Sequence, residues 1–130
     1  MWLIDTNVIS ELCRRQPDAK VVQWATAVSD FRLSVISVEE ITYGLAWRPN
    51  PRILEWMEGF FMRHPILSVT CEIAEHAGRI RGRLAAEGRA RTQADMLIAA
   101  TAAVHDLTLV TRNYADFEGC GIRLLNPFQS

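Results

Sequence analysis

Short apolar runs alternate with longer stretches of mixed polarity along the chain. In the longer stretches apolar side chains recur every three or four residues, as at Val8, Ile9 and Leu12, which predicts helices. The short runs are predicted to be strands at residues 2–4, 33–36, 66–69, 107–110 and 122–125. Strands that alternate with helices predict an α/β fold, in which a parallel sheet is covered by helices on both faces.

Two of the predicted helices have unusual features. Ser37 is expected to cap a helix whose apolar face contains Val38, Ile41 and Leu45. Residues 53–62 have the length of a helix but are apolar on almost every side, whereas a surface helix is apolar on one stripe. We therefore expect this helix to bury, or to offer to a partner, more than one face.

Composition narrows the class of protein. The chain has 130 residues, 49% hydrophobic and 22% charged, and we expect one domain over residues 1–130. Its net charge of −1 gives no general attraction for nucleic acid, so RNA binding needs a local basic patch. The three cysteines form no CxxC pair, which argues against a zinc site or a disulfide scaffold. No secretory or membrane-spanning pattern is present, and a soluble cytoplasmic protein is expected.

Four acidic residues stand near the ends of predicted elements. Asp5 follows the first strand, Glu40 lies in the first turn after the second, and Asp116 lies just past the fourth. The carboxyl ends of parallel strands meet at one edge of the sheet, where ligands bind. Asp95 starts the helix before the fourth strand and joins the others only if that helix begins at the same edge. Converging carboxylates repel one another, which predicts a hard divalent cation such as Mg²⁺ or Mn²⁺.

These acids also have structural interpretations. Ser37-x-x-Glu40 and Thr92-x-x-Asp95 both have the spacing of a helix capping box. Glu39 competes with Glu40 as the candidate ligand, and helical spacing does not separate the two. Each acid taken alone is therefore ambiguous, and the metal-site hypothesis depends on their joint pattern.

The four acids lie in motifs that resemble those of a known family. The motifs are LIDTNVISEL at residues 3–12, LSVISVEEI at 33–41, ADMLIAATA at 94–102 and VTRNYADF at 110–117, followed by LLNPF at 124–128. In this order they resemble the PIN-domain toxins of bacterial toxin–antitoxin pairs, most closely the VapC and FitB group. The second motif of that family has its acid directly before an apolar residue, which favours Glu40 over Glu39.

The resemblance implies a PIN-like three-layer α/β/α fold with a five-stranded parallel sheet in the order 3-2-1-4-5. It also implies an endoribonuclease that depends on Mg²⁺ or Mn²⁺, hydrolyses RNA with metal-activated water and leaves a 5′-phosphate. The catalytic metal ligands would be the four acids. Thr6 and Thr111 would hydrogen-bond metal waters or orient carboxylates, while Asn113 would touch phosphate or hold the loop that carries Asp116.

The resemblance further implies a partner. It would be a small antitoxin with a DNA-binding domain that blocks the active site, in an assembly that contains toxin homodimers. A catalytically silent PIN-type module, which acts only through this partner, is the alternative function.

Two groups of residues are candidate binding surfaces. The arginines near the first and third acidic motifs, which would contact RNA phosphates or simply be solvated at helix ends, are Arg14, Arg15, Arg89 and Arg91. The apolar residues that exceed one helical stripe, and that would form an antitoxin groove or else an internal helix, are Trp47, Trp56, Met57, Phe60 and Phe61.

Overall fold

The computed structural model describes residues 1–129, and its centre is one parallel sheet. The five strands within these residues are β1 Trp2–Ile4, β2 Phe31–Ser34, β3 Ile66–Leu67, β4 Thr108–Val110 and β5 Leu124–Leu125. They pair in the order β3-β2-β1-β4-β5, and every pair is parallel. The predicted α/β class, parallel sheet and strand order are confirmed.

Helices connect successive strands. Those of residues 1–129 are α1 Thr6–Leu12, α2 Ala19–Ala27, α3 Val35–Trp47, α4 Pro51–Arg63, α5 Cys71–Ala86, α6 Gln93–Val104 and the 3₁₀ helix Tyr114–Phe117. Side-chain caps begin most of them, for example Asp18 at α2 and Thr70 at α5. Gly88, with φ of 78°, follows the end of α5, as expected for a C-terminal glycine. Among the described residues no helix is long and apolar enough to cross a membrane.

The core has two parts, one on each face of the sheet. Successive strand residues point to opposite faces, so Leu3 packs with α5 and α6 while Ile4 packs with α1, α2 and α4. Both side chains are fully buried, and the burial of each stabilises the folded state by about 1.5–3 kcal/mol. Because α1 and α3 start directly after β1 and β2, their first turns lie at the carboxyl edge of the sheet.

The start of α3 differs from the prediction. β2 ends at Ser34 and α3 begins at Val35, because the Ser34 hydroxyl accepts a hydrogen bond from the Ile36 amide at 3.0 Å. The prediction that Ser37 caps this helix is therefore wrong, and so is the capping-box interpretation of Glu40. Ser37 is instead a fully buried residue inside α3. The β-branched Val35 and Ile36 favoured a strand locally, but the cap at Ser34 starts the helix before them.

The helix predicted to be apolar all round is amphipathic. Met57 and Phe60 of α4 are 3% and 4% exposed and pack in the core, whereas Leu54 and Met62 face solvent. Trp56 and Phe61 are partly buried against the same core. The predicted antitoxin groove is therefore not one surface, since Phe60 is internal, as the alternative interpretation expected, while Trp47 lies on α3 and is 66% exposed.

Candidate active site

Asp5 is the most firmly held acid at the carboxyl edge of the sheet. It follows β1 and caps α1, and its Oδ1 accepts a hydrogen bond from the Thr6 amide at 2.8 Å. Its Oδ2 accepts from the Thr111 hydroxyl at 2.8 Å and from the Asn7 side-chain amide at 3.1 Å. The Asp5 amide donates to the carbonyl of Val110 at 2.9 Å, which joins the ends of β1 and β4. Both carboxylate oxygens thus have fixed directions.

The electrostatics of Asp5 are unusual for an aspartate. Burial raises its pKa to about 6 from the ordinary 3.8, because only 4% of the residue is exposed. The hydrogen bonds from Thr111 and the Thr6 amide oppose this rise, while the negative charges of Asp95 and Glu40 add to it. Asp5 therefore sits in a field that disfavours its charge unless a cation is near.

Glu40 is held by a short chain of hydroxyl groups. The Thr6 hydroxyl donates to Glu40 Oε1 at 2.7 Å and lies 2.7 Å from the hydroxyl oxygen of Ser37. Because a hydroxyl has one proton, which Thr6 gives to Glu40, Ser37 must be the donor to Thr6. Glu39, the competing residue, is exposed on α3. The structure thus brings Glu40 to the first motif and leaves Glu39 in solvent.

Asp95 and Asp116 form the other side of the site. Asp95 lies in the first turn of α6, where its amide donates to the capping hydroxyl of Thr92 at 3.1 Å. Burial raises the pKa of Asp95, and the charges of Asp116 and Glu40 raise it further, while Thr92 and Arg91 lower it. Asp116 is exposed on the 3₁₀ helix after β4. Asp95 therefore lies near enough to Glu40 and Asp116 for their negative charges to act on it.

These donors fit a hydrated hard cation. All four candidate ligands are carboxylates, the type that Mg²⁺ and Mn²⁺ prefer. Among residues 1–129, no three Asp, Glu, His or Cys side chains lie close enough together to form a group that could hold a metal ion. Mg²⁺ commonly keeps several waters and binds through one or two carboxylates plus substrate phosphate, so it does not need a closed cage. The carboxylates therefore suit an ion that keeps part of its hydration shell rather than one enclosed by protein ligands.

The other polar residues proposed for the site have different surroundings. Thr6 orients Glu40 and Thr111, which is fully buried, orients Asp5. Asn113 acts through its backbone: its amide donates to the Thr111 hydroxyl at 3.0 Å and its carbonyl accepts from the Asp116 amide at 3.1 Å. The structure shows Asn113 shaping the loop of Asp116.

Two residues of the site were not predicted from the sequence. The Asn7 side chain donates to Asp5, lies 3.4 Å from the Thr111 hydroxyl and accepts from the Arg112 amide at 3.1 Å, so it joins two motifs. Ser37 supports Thr6 from inside α3. Asn7 had a signal, since it stands two residues after Asp5 where a helix begins. Ser37 had none beyond its capping spacing, which indicated a different role.

Buried Glu11 is a structural acid. It is 6% exposed, and its Oε2 accepts from the Asp18 amide at 2.8 Å, which ties α1 to the start of α2. Both its oxygens also accept from Arg14 Nη1, at 3.1 and 3.2 Å. Arg14 is therefore held at the end of α1, although its side chain is exposed, as Arg15 also is.

A groove of about 430 Å³ lies beside Glu40, between α1, α3 and α4. Its lining includes the apolar residues Ile41, Leu45, Ile53 and Met57, and the arginines Arg14, Arg48 and Arg52. Arg52 donates to the carbonyl of Cys13 at 2.9 Å, and the Arg48 guanidinium lies 4.6 Å from the ring centroid of Trp47. Of the five residues predicted to form an antitoxin groove, Met57 lines this one.

Comparison with known sequences shows the family. A family model described as PIN domain matches residues 2–118, so the chain belongs to the PIN-domain family. It is 32% identical to plasmid stability protein StbB of Pseudomonas syringae pv. tomato, covering 100% of both chains. It is 34% identical to toxin FitB of Neisseria gonorrhoeae, covering 98% of this chain and 99% of that one. Identity to the tRNA(fMet)-specific endonuclease VapC of Shigella flexneri is 30%, over 92% of both.

Solved structures agree with the sequence comparison. The FitAcB structure from Neisseria gonorrhoeae matches with a TM-score of 0.87 and 32% identity over 100% of both chains. DNA-bound VapBC from Salmonella typhimurium matches at 0.85 with 30% identity, over 97% of both chains. A toxin–antitoxin complex from Klebsiella pneumoniae matches at 0.78 with 25% identity, over 100% of both chains.

Proposed function

We propose that this protein is a Mg²⁺- or Mn²⁺-dependent endoribonuclease toxin that a cognate antitoxin neutralises. The observation that carries the proposal is the buried Asp5, which three hydrogen bonds orient toward a region where Glu40 and Asp95 repel its charge. Such an arrangement is unfavourable without a cation and useful with one. Relatives named as VapC ribonuclease and VapC endonuclease support the reaction class.

In this proposal the metal ligands are Asp5, Glu40, Asp95 and Asp116. A bound divalent ion supplies Lewis acidity, which lowers the pKa of water and neutralises charge on the phosphate. The chain itself supplies orientation: Thr111 and Asn7 hold Asp5, and Thr6 holds Glu40 with help from Ser37. Because these bonds exist before substrate arrives, the carboxylates need little reorganisation during hydrolysis.

The experiment measures cleavage of a fluorescently labelled single-stranded RNA with Mn²⁺ and with EDTA. We expect metal-dependent cleavage to 5′-phosphate ends, lost in Asp5→Asn and retained in Glu39→Gln. Glu39 is a matched control because it adjoins Glu40 but is exposed. Cleavage that persists in Asp5→Asn would contradict the assignment. A folded wild-type protein that binds its antitoxin and cuts no RNA would favour the silent-module alternative.

The antitoxin is proposed to lie in the groove beside Glu40. The apolar residues of its lining suit the apolar side of a peptide, and the arginines of its lining suit acidic side chains. The groove borders the site through Thr6 and Glu40, so a segment bound there would block access to the carboxylates. The similar toxin–antitoxin complex and the DNA-bound VapBC support a partner that also binds DNA.

Gly44 allows a test of this groove. It lies on α3 in the groove, and a Cβ there would meet no atom within 4 Å, so the larger side chain of Gly44→Phe can begin there without a clash and would occupy part of the groove. Gly82→Phe on α5 is a matched control, since Gly82 has the same open surroundings. We expect Gly44→Phe to weaken antitoxin binding at least tenfold by calorimetry, with the control unchanged. Equal binding by both variants would place the antitoxin elsewhere.

A further inference from the structure

Three arginines hold the loop that carries Asp116. Arg83 Nη2 donates to the Gly119 carbonyl at 2.7 Å, and Arg89 Nη2 donates to the Glu118 carbonyl at 2.9 Å. Arg91 Nη2 lies 3.4 Å from the Ala115 carbonyl. These acceptors stand on both sides of Asp116 in the chain. The loop is therefore bonded by its backbone to the segment formed by the end of α5 and the connector to α6.

That segment leads directly to Asp95. Arg89 and Arg91 lie between the end of α5 and the capping residue of α6, Thr92. The three arginine bonds therefore connect the chain that positions Asp95 to the loop that positions Asp116. Arg91 also acts on Asp95 through its positive charge.

The loop is also held by its own buried residues and by short-range backbone bonds. Phe117 and Cys120 are buried, at 1% and 5% exposure, and anchor it from below. Gly119 and Gly121 have positive φ angles of 85° and 74°, which turn the chain around these anchors. Asp116 itself is exposed, and its amide donates to the nearby Asn113 carbonyl. The arginines add backbone contacts from outside the loop, on both sides of Asp116.

We propose that Arg83, Arg89 and Arg91 are positioning residues that fix Asp116 relative to Asp95 through the carbonyls of residues 115–119. This inference rests on the proposed function, because the position of Asp116 matters only if the carboxylates share an ion. It gives Arg89 and Arg91 a role other than contact with RNA phosphate, for which the sequence made them candidates. Their Nη2 groups already donate within the protein.

Gly119 gives the inference a test that changes no charge. A Cβ at Gly119 would lie 2.8 Å from both Arg89 Nη1 and Arg89 Nη2, so Gly119→Ala would displace this guanidinium. A Cβ at Gly121, which has a similar φ, would meet no atom within 4 Å. Gly121→Ala therefore reproduces the backbone strain of Gly119→Ala without the collision with Arg89.

The experiment compares Arg89→Met and Gly119→Ala with the controls Arg79→Met and Gly121→Ala. Arg79 is a suitable control because it lies on α5 and pairs with the exposed Glu75. Mn²⁺ affinity is measured by electron paramagnetic resonance without RNA, and kcat and KM are measured with the labelled RNA at two salt concentrations. Circular dichroism confirms that each variant is folded.

We expect Arg89→Met and Gly119→Ala to weaken Mn²⁺ binding about tenfold, the effect typical of residues that support a metal ligand. Their kcat should fall by a similar factor, while KM at saturating Mn²⁺ and the salt dependence stay unchanged. The direction of the change in Mn²⁺ affinity is informative, since loss of a positive charge near an acidic site would by itself strengthen cation binding. Weaker binding in Arg89→Met therefore indicates displacement of a ligand.

Other outcomes overturn the inference. An Arg89→Met variant with normal Mn²⁺ affinity, a raised KM and a weaker salt dependence would make Arg89 a phosphate contact. Equal losses in Gly119→Ala and Gly121→Ala would attribute the effect to backbone strain. Wild-type protein without Mn²⁺ binding or Mn²⁺-dependent cleavage would instead overturn the proposed function, and this inference with it.

Discussion

The two sides of the candidate site are held in different ways. Asp5 and Glu40 are oriented by side-chain hydrogen bonds from Thr111, Asn7 and Thr6, in surroundings that are largely buried. Asp116 lies on an exposed loop whose backbone carbonyls accept bonds from arginines. The first side therefore holds its carboxylates rigidly through direct side-chain bonds, whereas the second side holds Asp116 only through the backbone of its loop.

Substitution of the acids themselves should give the largest difference between the two sides. Asp5→Asn removes the buried charge but keeps the shape, and we expect kcat to fall on the order of 1000-fold, because an ion supplies several kcal/mol to such reactions. Asp116→Asn should lower kcat by less, on the order of 10- to 100-fold, since water can replace an exposed ligand. Single-turnover cleavage of the labelled RNA measures both. Equal losses would break the distinction between the two sides.

Stability should depend on pH through Asp5. The folded protein holds the Asp5 proton more tightly than the unfolded chain, with a pKa of about 6 against 3.8, so this group stabilises the fold most below pH 4. That contribution, up to about 3 kcal/mol, is lost as the pH rises through 6. Urea unfolding in EDTA from pH 4 to 7 should show the loss in wild type relative to Asp5→Asn. Parallel curves for the two proteins would contradict the raised pKa.

Substitution of Thr111 tests the side of the site that contains Asp5, because the Thr111 hydroxyl donates to that carboxylate. Thr111→Val keeps the volume but removes the donor to Asp5 and leaves the Asn113 amide without its acceptor. We expect Mn²⁺ affinity to fall about 10- to 100-fold. The free energy of unfolding should fall by about 1–3 kcal/mol, because a buried group loses its partner. Thr111→Ser keeps the hydroxyl and should recover most of the affinity, and failure to do so would point to packing.

Asn113 should give the smallest effect. Its side chain is exposed and makes no capping bond, while its backbone amide and carbonyl hold the loop. Asn113→Ala should therefore change the free energy of unfolding by less than about 0.5 kcal/mol, as is usual at the surface. Cleavage should change by less than about threefold, which corresponds to a fraction of a kcal/mol. A larger rise in KM would show that the side chain contacts RNA.

Much of this molecule was predictable because its signals are local. Apolar runs and helical spacing predicted the sheet and its helices, and the motif resemblance predicted the strand order that the structure has. Asp5 was predictable as a site residue for the same reason. It directly follows a buried strand, so its place at the carboxyl edge depends on β1 alone.

The features that the sequence left open depend on contacts between distant residues. Glu40 meets Thr6, which is 34 positions away, and only the true start of α3 at Val35 sets that helical phase. The bonds from Arg83 and Arg89 to the Asp116 loop span 36 and 29 positions, so no local spacing in the sequence predicts them. The residue types and their order thus determined the sheet, its strand ends and the acids near them. The motif resemblance proposed Thr6 and Thr111 as supporting residues. The tertiary structure alone decided which acid each of them holds and added Asn7 and Ser37, because a hydrogen bond requires its two atoms to meet in space.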